Sequence, residues 1–372
     1  MTPPGTLVRL DGPLRCALLR HRLLAVLVVP VVALAACSSS TTGAGPDRTT
    51  TSTKPAGNAH AAPEGEVASA DPTPSSGCGA AAAAPVSLER RTIAALDRWY
   101  LLTVPAAHDG SAPLPLVLDF HGLSEGAEVH TRTSGLSPYA EAHDFIAVFP
   151  NGTGNPVHWD VNLDPTANED LVYINALLDQ LEAELCVDTS RVYATGLSNG
   201  ALMSSAIACS ISERFAAVAP VAGINAPDGC APARPMPVLA FHGTEDPILL
   251  FNGGVGSRLG SVLGGGTPDT TPLPEADLNG EGYPANAAAW AARNGCAKAS
   301  TDTKPTPTVI ERTWDCPEGA VVVFDILVGG GHSWPGSEFM ESIGAIVGPT
   351  DMSIDGTDRI WRFFQRFALP AA

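Results

Sequence analysis

The sequence of 372 residues predicts an α/β domain, a mostly parallel sheet covered by helices on both faces. Three observations lead to it. Strand-like and helix-like segments alternate after Cys78, and the strand-like ones are continuous apolar runs of the kind buried parallel strands need. In addition, a Gly-x-Ser-x-Gly links one such run to a helix-compatible stretch. The expected strands are Trp99–Val104, Leu114–Phe120, Ile146–Phe149, Arg191–Thr195, Ala216–Pro220, Pro237–Phe241 and Val321–Leu327. Between them, residues 170–185 set Leu171, Ile174, Leu178, Leu181 and Leu185 on one helical stripe, and residues 358–367 make a closing amphipathic helix. A hydrophobic content of 45% can bury a large core, and residues 78–372 form a single unit once targeting and tether segments are set aside.

Those segments lie at the N-terminus. Arg9, Arg15, Arg20 and Arg22 precede the apolar run Leu23–Ala36, which is too short for a comfortable transmembrane helix, so residues 1–36 read as an export signal. The run ends Leu34-Ala35-Ala36-Cys37, similar to a bacterial lipobox. Lipid on the Cys37 thiol, cleavage ahead of it and anchoring on the outer face of the membrane are therefore expected. An ordinary signal peptide that ends near a cysteine is the alternative. Residues 37–77, dominated by Ser, Thr, Ala, Gly and Pro, hold too few large apolar side chains to offset the entropy of ordering. They read as a disordered tether with a root-mean-square span of roughly 35 Å.

Of 8 cysteines, Cys16 falls in the signal and Cys37 is the lipid site, which leaves Cys78, Cys186, Cys209, Cys230, Cys296 and Cys316. An even number in an exported chain suggests disulfides. Short separations favour Cys209 with Cys230 and Cys296 with Cys316, leaving Cys78 to join Cys186. No CxxC occurs, so a zinc site finds no support. Lys+Arg 21 against Asp+Glu 39 gives a formal net charge of -18, which argues against nucleic acid and anionic lipid as partners and fits a neutral substrate.

The chemistry centres on Gly196-Leu197-Ser198-Asn199-Gly200, whose small residues permit a sharp strand-to-helix turn that lifts a serine hydroxyl clear of the sheet. A second match, Gly122-Leu123-Ser124-Glu125-Gly126, competes with it. Ser198 follows the strand RVYAT and opens ALMSSAIACS, whereas Ser124 leads into GAEVHTRTSG, which does not start a clean helix. Ser198 is thus the expected nucleophile, and a helix-capping serine is its bland alternative. His121-Gly122, directly after LPLVLDF, marks the place for one oxyanion-hole donor, the Leu123 N–H, with the Asn199 N–H as the other. The competing use of this segment is a simple strand-end turn with a hydrogen-bonded His121.

The triad acid should follow the nucleophile in the chain, and His242-Gly243-Thr244-Glu245-Asp246-Pro247 closes the strand PVLAF in that manner. Asp246 is the expected acid, with Glu245 as competitor and Asp119 and Asp160 as poorer candidates because they precede Ser198. The base should come last. His332, in GGGHSWPG after VVVFDIL, is the expected base.

The ordered pieces Gly77-Cys78-Gly79, PLVLDFHG, FPNGTG before Trp159, GLSNGALM, FAAVAPVAG, HGTEDP, AAAWAARNGC, CPEG and GGGHSWPG span about residues 78–367. Together they resemble the extracellular esterases of the polyhydroxybutyrate depolymerase family, related to the feruloyl and acetylxylan esterases of carbohydrate esterase family one. The resemblance implies an α/β-hydrolase with its triad on Ser198, Asp246 and His332, acting on an ester bond through an acyl-enzyme without metal or organic cofactor. Short hydroxyalkanoate, aryl or acylated-sugar esters are the expected substrates, small or oligomeric, with a feruloyl or acetylxylan esterase as the alternative. A serine peptidase and a non-catalytic surface-binding lipoprotein stand further off. A monomer that meets the membrane only through its lipid is expected. Trp159 and Trp334 are candidates to line the cleft, with plain burial as the competing use. Two departures border that cleft: LSEGAEV stands where family members often carry a Gly- and Cys-rich turn, and residues 252–283 form a long Gly/Pro-rich segment.

Overall fold

The apolar runs assemble into the centre of one sheet. The computed structural model describes residues 70–80, 84–263 and 271–370; the export signal, Cys37 and the tether as far as residue 69 lie outside the described residues. In chain order the elements are β1 (Val86–Ile93), β2 (Arg98–Val104), β3 (Leu114–Phe120), α1 (Ala127–Ser134), α2 (Leu136–His143), β4 (Ile146–Pro150), α3 (Glu169–Glu184) and β5 (Val187–Leu197). Next come α4 (Asn199–Ser210), β6 (Ala217–Val221), β7 (Val238–Gly243), α5 (Leu259–Val262), α6 (Tyr283–Arg293), β8 (Ser300–Thr306), β9 (Val309–Trp314), β10 (Val322–Leu327), α7 (Glu338–Ser342), α8 (Gly344–Val347) and α9 (Gly356–Phe364).

The strand order is β1-β2-β4-β3-β5-β6-β7-β10-β9-β8. The six strands from β4 to β10 run parallel, and the four outer strands add antiparallel pairs at both edges. Helices cover both faces: Leu171, Ile174 and Leu178 of α3, Met203 and Ile207 of α4 and Trp290 of α6 pack on one. Leu136 and Ala140 of α2 pack on the other with Ile360, Trp361 and Phe364 of α9. This is the α/β-hydrolase fold that the sequence leads one to expect. The chain leaves β3 for β4 on one side and returns to β5 on the other, so the carboxyl ends of β3 and β5 flank the switch point where such sheets bind ligands.

Local chemistry explains the boundaries. The Asn168 side chain accepts from the N–H groups of Asp170 and Leu171 and starts α3, and Glu169 and Asp170 place negative charge in its first turn. β1 and β8 carry mostly exposed residues and β9 reads VIERTW, so none shows the apolar run that marks the central strands. GAEVHTRTSG does contain a helix, contrary to expectation: α1 buries His130, Thr131 and Thr133, polar residues that leave no apolar stripe to read.

Three disulfides join Cys78 to Cys186, Cys209 to Cys230 and Cys296 to Cys316, the pairing that the spacings favour. They indicate a domain matured in an oxidising compartment. The ordered body begins earlier than the expected boundary at Cys78. Ser75 donates its N–H to Val187 O at 2.9 Å, Gly77 to Glu182 O at 2.8 Å, and Thr189 donates to Thr73 O at 2.9 Å. These bonds dock residues that composition alone reads as tether.

Towards the β8 edge of the sheet Arg359 of α9 bridges two strands, its Nη2 lying 2.8 Å from Glu311 Oε2 on β9 and 2.8 Å from Asp325 Oδ2 on β10. All three side chains are buried. Removing the cation leaves two buried carboxylic groups opposite each other on adjacent strands. Arg359→Met is therefore expected to lower the unfolding free energy by about 3–5 kcal/mol in non-reducing denaturant titrations; a change under about 1 kcal/mol would contradict this account of the edge.

Candidate active site

Ser198 sits where β5 ends and α4 begins, at φ 58 and ψ -117, a left-handed backbone that a residue with a side chain adopts at a cost of about 1–3 kcal/mol. The surroundings hold it there. Ser198 N–H donates to Val221 O at 2.9 Å, and its own carbonyl accepts from Leu202 N–H at 3.0 Å. Gly200 permits the close crossing, since a Cβ there would stand 1.9 Å from Phe120 O at the end of β3. The turn thereby presents Ser198, half-buried, beside the loop that follows β3.

Asp246 and His332 meet at the ends of β7 and β10, with His332 Nδ1 2.7 Å from Asp246 Oδ2. Two loops brace the pair. Glu245 N–H donates to Gly330 O at 2.8 Å, and His332 N–H donates to Val347 O at 2.6 Å. The other carboxylate oxygen of Asp246 accepts the N–H groups of Ile248 and Leu249, both at 2.8 Å. Burial opposes ionisation of Asp246, but the charge of His332 and hydrogen bonds from His242 and His332 outweigh it and hold the carboxyl below its usual range. Glu245, the competing acid, points to solvent, and Asp119 is engaged with His130 instead.

Ser198 and His332 both open onto one cavity of about 430 Å³. Its walls are mainly apolar: Leu123 and Val129 on the β3 side, Leu202 of α4, Leu249 and Leu259 after β7, and Phe339, Ile343 and Ile346 of the α7–α8 region. Among the described residues, Leu259 is what the 252–283 segment contributes. The same cavity receives Asn199, whose N–H heads α4 and so has no partner within the helix. Leu123 lies between two committed amides, Gly122 donating to Glu125 Oε2 at 2.7 Å and Ser124 donating to Val157 O at 2.8 Å. A Cβ on Gly122 would come within 3.5 Å of Ser198 Cβ, so this loop and the elbow are in contact. Among the described residues no three His, Cys, Asp or Glu side chains cluster as metal ligands would.

The sequence has recognisable relatives among known esterases. No protein-family model matches the chain. It is similar to feruloyl esterase B of Piromyces equi, 29% identical over 243 residues that cover 63% of this chain and 42% of that protein, so it spans less than half of that relative. It is also 31% identical over 261 residues to the proposed esterase NocK of Nocardia uniformis subsp. tsuyamanensis, covering 68% of this chain and 74% of NocK. The chain belongs to this esterase family. Among solved structures, the acetyl xylan esterase from Aspergillus awamori superposes with a TM-score of 0.49 at 18% identity, covering 70% of this chain and 100% of that one.

The esterase uses its two candidate cleft tryptophans differently from expectation. Trp159 and Trp334 are 2% and 1% exposed and belong to the scaffold instead of the cavity wall. Trp159 donates its N–H to Asn199 Oδ1 at 2.7 Å and its indole N–H to His121 O at 3.0 Å, tying the elbow to the β3 loop. Trp334 donates its indole N–H to Thr357 Oγ1 at 3.0 Å. The local sequence offered no means to separate these uses, since a buried and a cleft-lining tryptophan read alike.

A buried charged chain beside the β3 loop was not legible in the sequence. His130 Nε2 lies 2.7 Å from Asp119 Oδ1, and its Nδ1 lies 3.0 Å from Glu125 Oε2. Burial disfavours the imidazolium, but Asp119 and Glu125 more than offset it and raise the His130 pKa to about 10. Glu125, which burial alone would push up, is lowered to about 2 by the charge of His130. A raised histidine contributes its stability in full below its unfolded pKa of about 6.5 and loses it as pH climbs through the folded value. The gap in unfolding free energy between the wild type and His130→Gln should therefore be widest at pH 5–6.5 and narrow towards about pH 10. Denaturant titrations across that range measure it, and a gap independent of pH would show that His130 is uncharged in the fold.

Proposed function

We propose that this esterase hydrolyses carboxylic esters with an apolar acyl group, short hydroxyalkanoate and aryl esters first among them, through an acyl-enzyme on Ser198. The observation that carries this reading is the shared cavity, where a strained serine and an Asp-paired histidine face apolar walls. His332 takes the Ser198 proton as Oγ attacks the ester carbonyl, and Asp246 holds the imidazole with Nδ1–H towards itself so that Nε2 is free to accept. The N–H groups of Leu123 and Asn199 receive the charge that develops on the carbonyl oxygen. The protonated His332 then hands its proton to the leaving alcohol, and a water activated by the same nitrogen releases the acid.

A feruloyl ester is the second reading, favoured by the similarity to feruloyl esterase B. A bulky aromatic acyl group and a hydroxyalkanoate both suit a cavity of about 430 Å³, whereas an acetyl group would leave most of it unfilled. Three disulfides fit an enzyme that works outside the reducing cytosol, as polymer-derived esters would require.

Ser198→Ala and His332→Ala are each expected to abolish measurable turnover of p-nitrophenyl butyrate with the fold retained, because members of such a triad act as a unit. With two extra methylenes to bury at about 0.8 kcal/mol each, butyrate should exceed acetate in kcat/KM by roughly tenfold. Steady-state kinetics on both esters checks this, and methyl ferulate beside hydroxybutyrate oligomers ranks the two readings. An acetate preference would rule out the apolar acyl site, and full activity in Ser198→Ala would overturn the nucleophile.

A further inference from the structure

The peptide that carries the Leu123 N–H is held from both sides. A trans peptide is planar, so the Gly122 carbonyl and the Leu123 N–H lie in one plane and point in opposite directions. That carbonyl accepts from His121 Nδ1 at 2.8 Å and from Glu125 N–H at 3.2 Å. His121 Nε2 accepts the Gly152 N–H at 2.9 Å, which leaves Nδ1 as the protonated nitrogen and a donor to Gly122. The preceding peptide is tied as well, because Gly122 N–H donates to Glu125 Oε2 at 2.7 Å. Glu125 thus touches both peptide groups flanking Gly122, once through its backbone and once through its carboxylate.

The carboxylate is itself fixed. His130 Nδ1 and the Thr133 hydroxyl of α1 donate to its two oxygens, and the far nitrogen of His130 rests 2.7 Å from Asp119 Oδ1 on β3. Asp119 and His130 are completely buried. A bare carboxylate here would work against chemistry, since Glu125 borders the cavity in which negative charge builds on the substrate oxygen. An imidazolium behind it offsets that field while leaving its hydrogen bonds in place. The chain therefore joins a rigid central strand, a helix and the loop at the nucleophile by groups that have no room to turn.

We propose that Asp119, His130 and Glu125 form a positioning relay that aims the Leu123 N–H at the reacting carbonyl oxygen; this rests on the reading of Ser198 as nucleophile and Leu123 as oxyanion donor. Asp119 and His130 stand behind the cavity wall, and Glu125 borders the cavity with its carboxylate held by Gly122 N–H, His130 and Thr133. Their effect is on the direction of a donor, and a misdirected donor weakens the transition state more than the ground state.

The test uses the folded esterase with p-nitrophenyl butyrate and a trifluoromethyl ketone, which adds to the nucleophilic serine as a tetrahedral oxyanion. Glu125→Ala is expected to lower kcat on the order of 100-fold with KM within about threefold, and to weaken the ketone by the same factor as kcat/KM. Glu125→Gln, which can still accept from Gly122 N–H, should recover at least about tenfold of the lost kcat. Thr133→Val removes one bond to Glu125 and leaves the charges in place; it should give a smaller loss in the same direction, and it decides the question with Glu125→Gln should the alanine variant not fold. A Glu125→Ala or Thr133→Val protein that melts earlier but keeps kcat and ketone affinity would overturn the relay, as would a kcat loss without a matching loss of ketone affinity. Ser198→Ala is run alongside: if it retains activity, the nucleophile assignment fails and the relay with it, whereas a dead Ser198→Ala beside an unaffected Glu125→Ala indicts the relay alone.

Discussion

The crossing of the β5–α4 turn against the carboxyl end of β3 sets the position of everything else in the site. Gly200 lets α4 start within contact of Phe120 O, and Ser198 is forced into a left-handed conformation as a consequence. The strain of about 1–3 kcal/mol is small beside the burial of the six parallel strands that fix both ends of the turn. With that crossing fixed, the loop after β3 and the start of α4 cannot help but share one wall of the cavity, and Trp159 locks them together by bonds to His121 and Asn199.

A second principle is the use of buried charge at places far apart in sequence. Asp246 receives His332 across 86 residues of chain and also lies 3.2 Å from His242 Nε2. His242 stacks on Tyr283 with ring centroids 3.6 Å apart, so the acid is walled in by aromatic surface on that side. Asp119, His130 and Glu125 form a comparable cluster at the β3 loop, and Arg359 with Glu311 and Asp325 another at the far edge. Buried ions are costly unless paired and oriented, so each cluster admits few alternative geometries. Fixed geometry is what a site that must direct donors at a developing charge requires.

The sequence made the centre of the fold legible because its strands are uninterrupted apolar runs between turn residues. It made the proposed triad legible because Ser198, Asp246 and His332 each follow such a run. The edges were hidden for a physical reason: β1 and β8 face solvent, and β9 buries Glu311 and Arg312 as ions instead of as apolar side chains. The same reason hid α1, whose inward face is His130, Thr131 and Thr133. Polar residues acting as core cannot be recognised from periodicity, since their partners come from other segments. Trp159 and Trp334 show the converse, large aromatic side chains whose role depends entirely on what packs over them.

Catalysis as proposed here turns on Ser198 as the activated nucleophile. The most direct measurement is labelling of the folded protein with a fluorophosphonate, followed by peptide mapping by mass spectrometry. One phosphonyl adduct is expected on the peptide that contains Ser198, formed only while Asp246 and His332 are intact. An adduct on Ser124, or equal labelling after loss of His332, would contradict it.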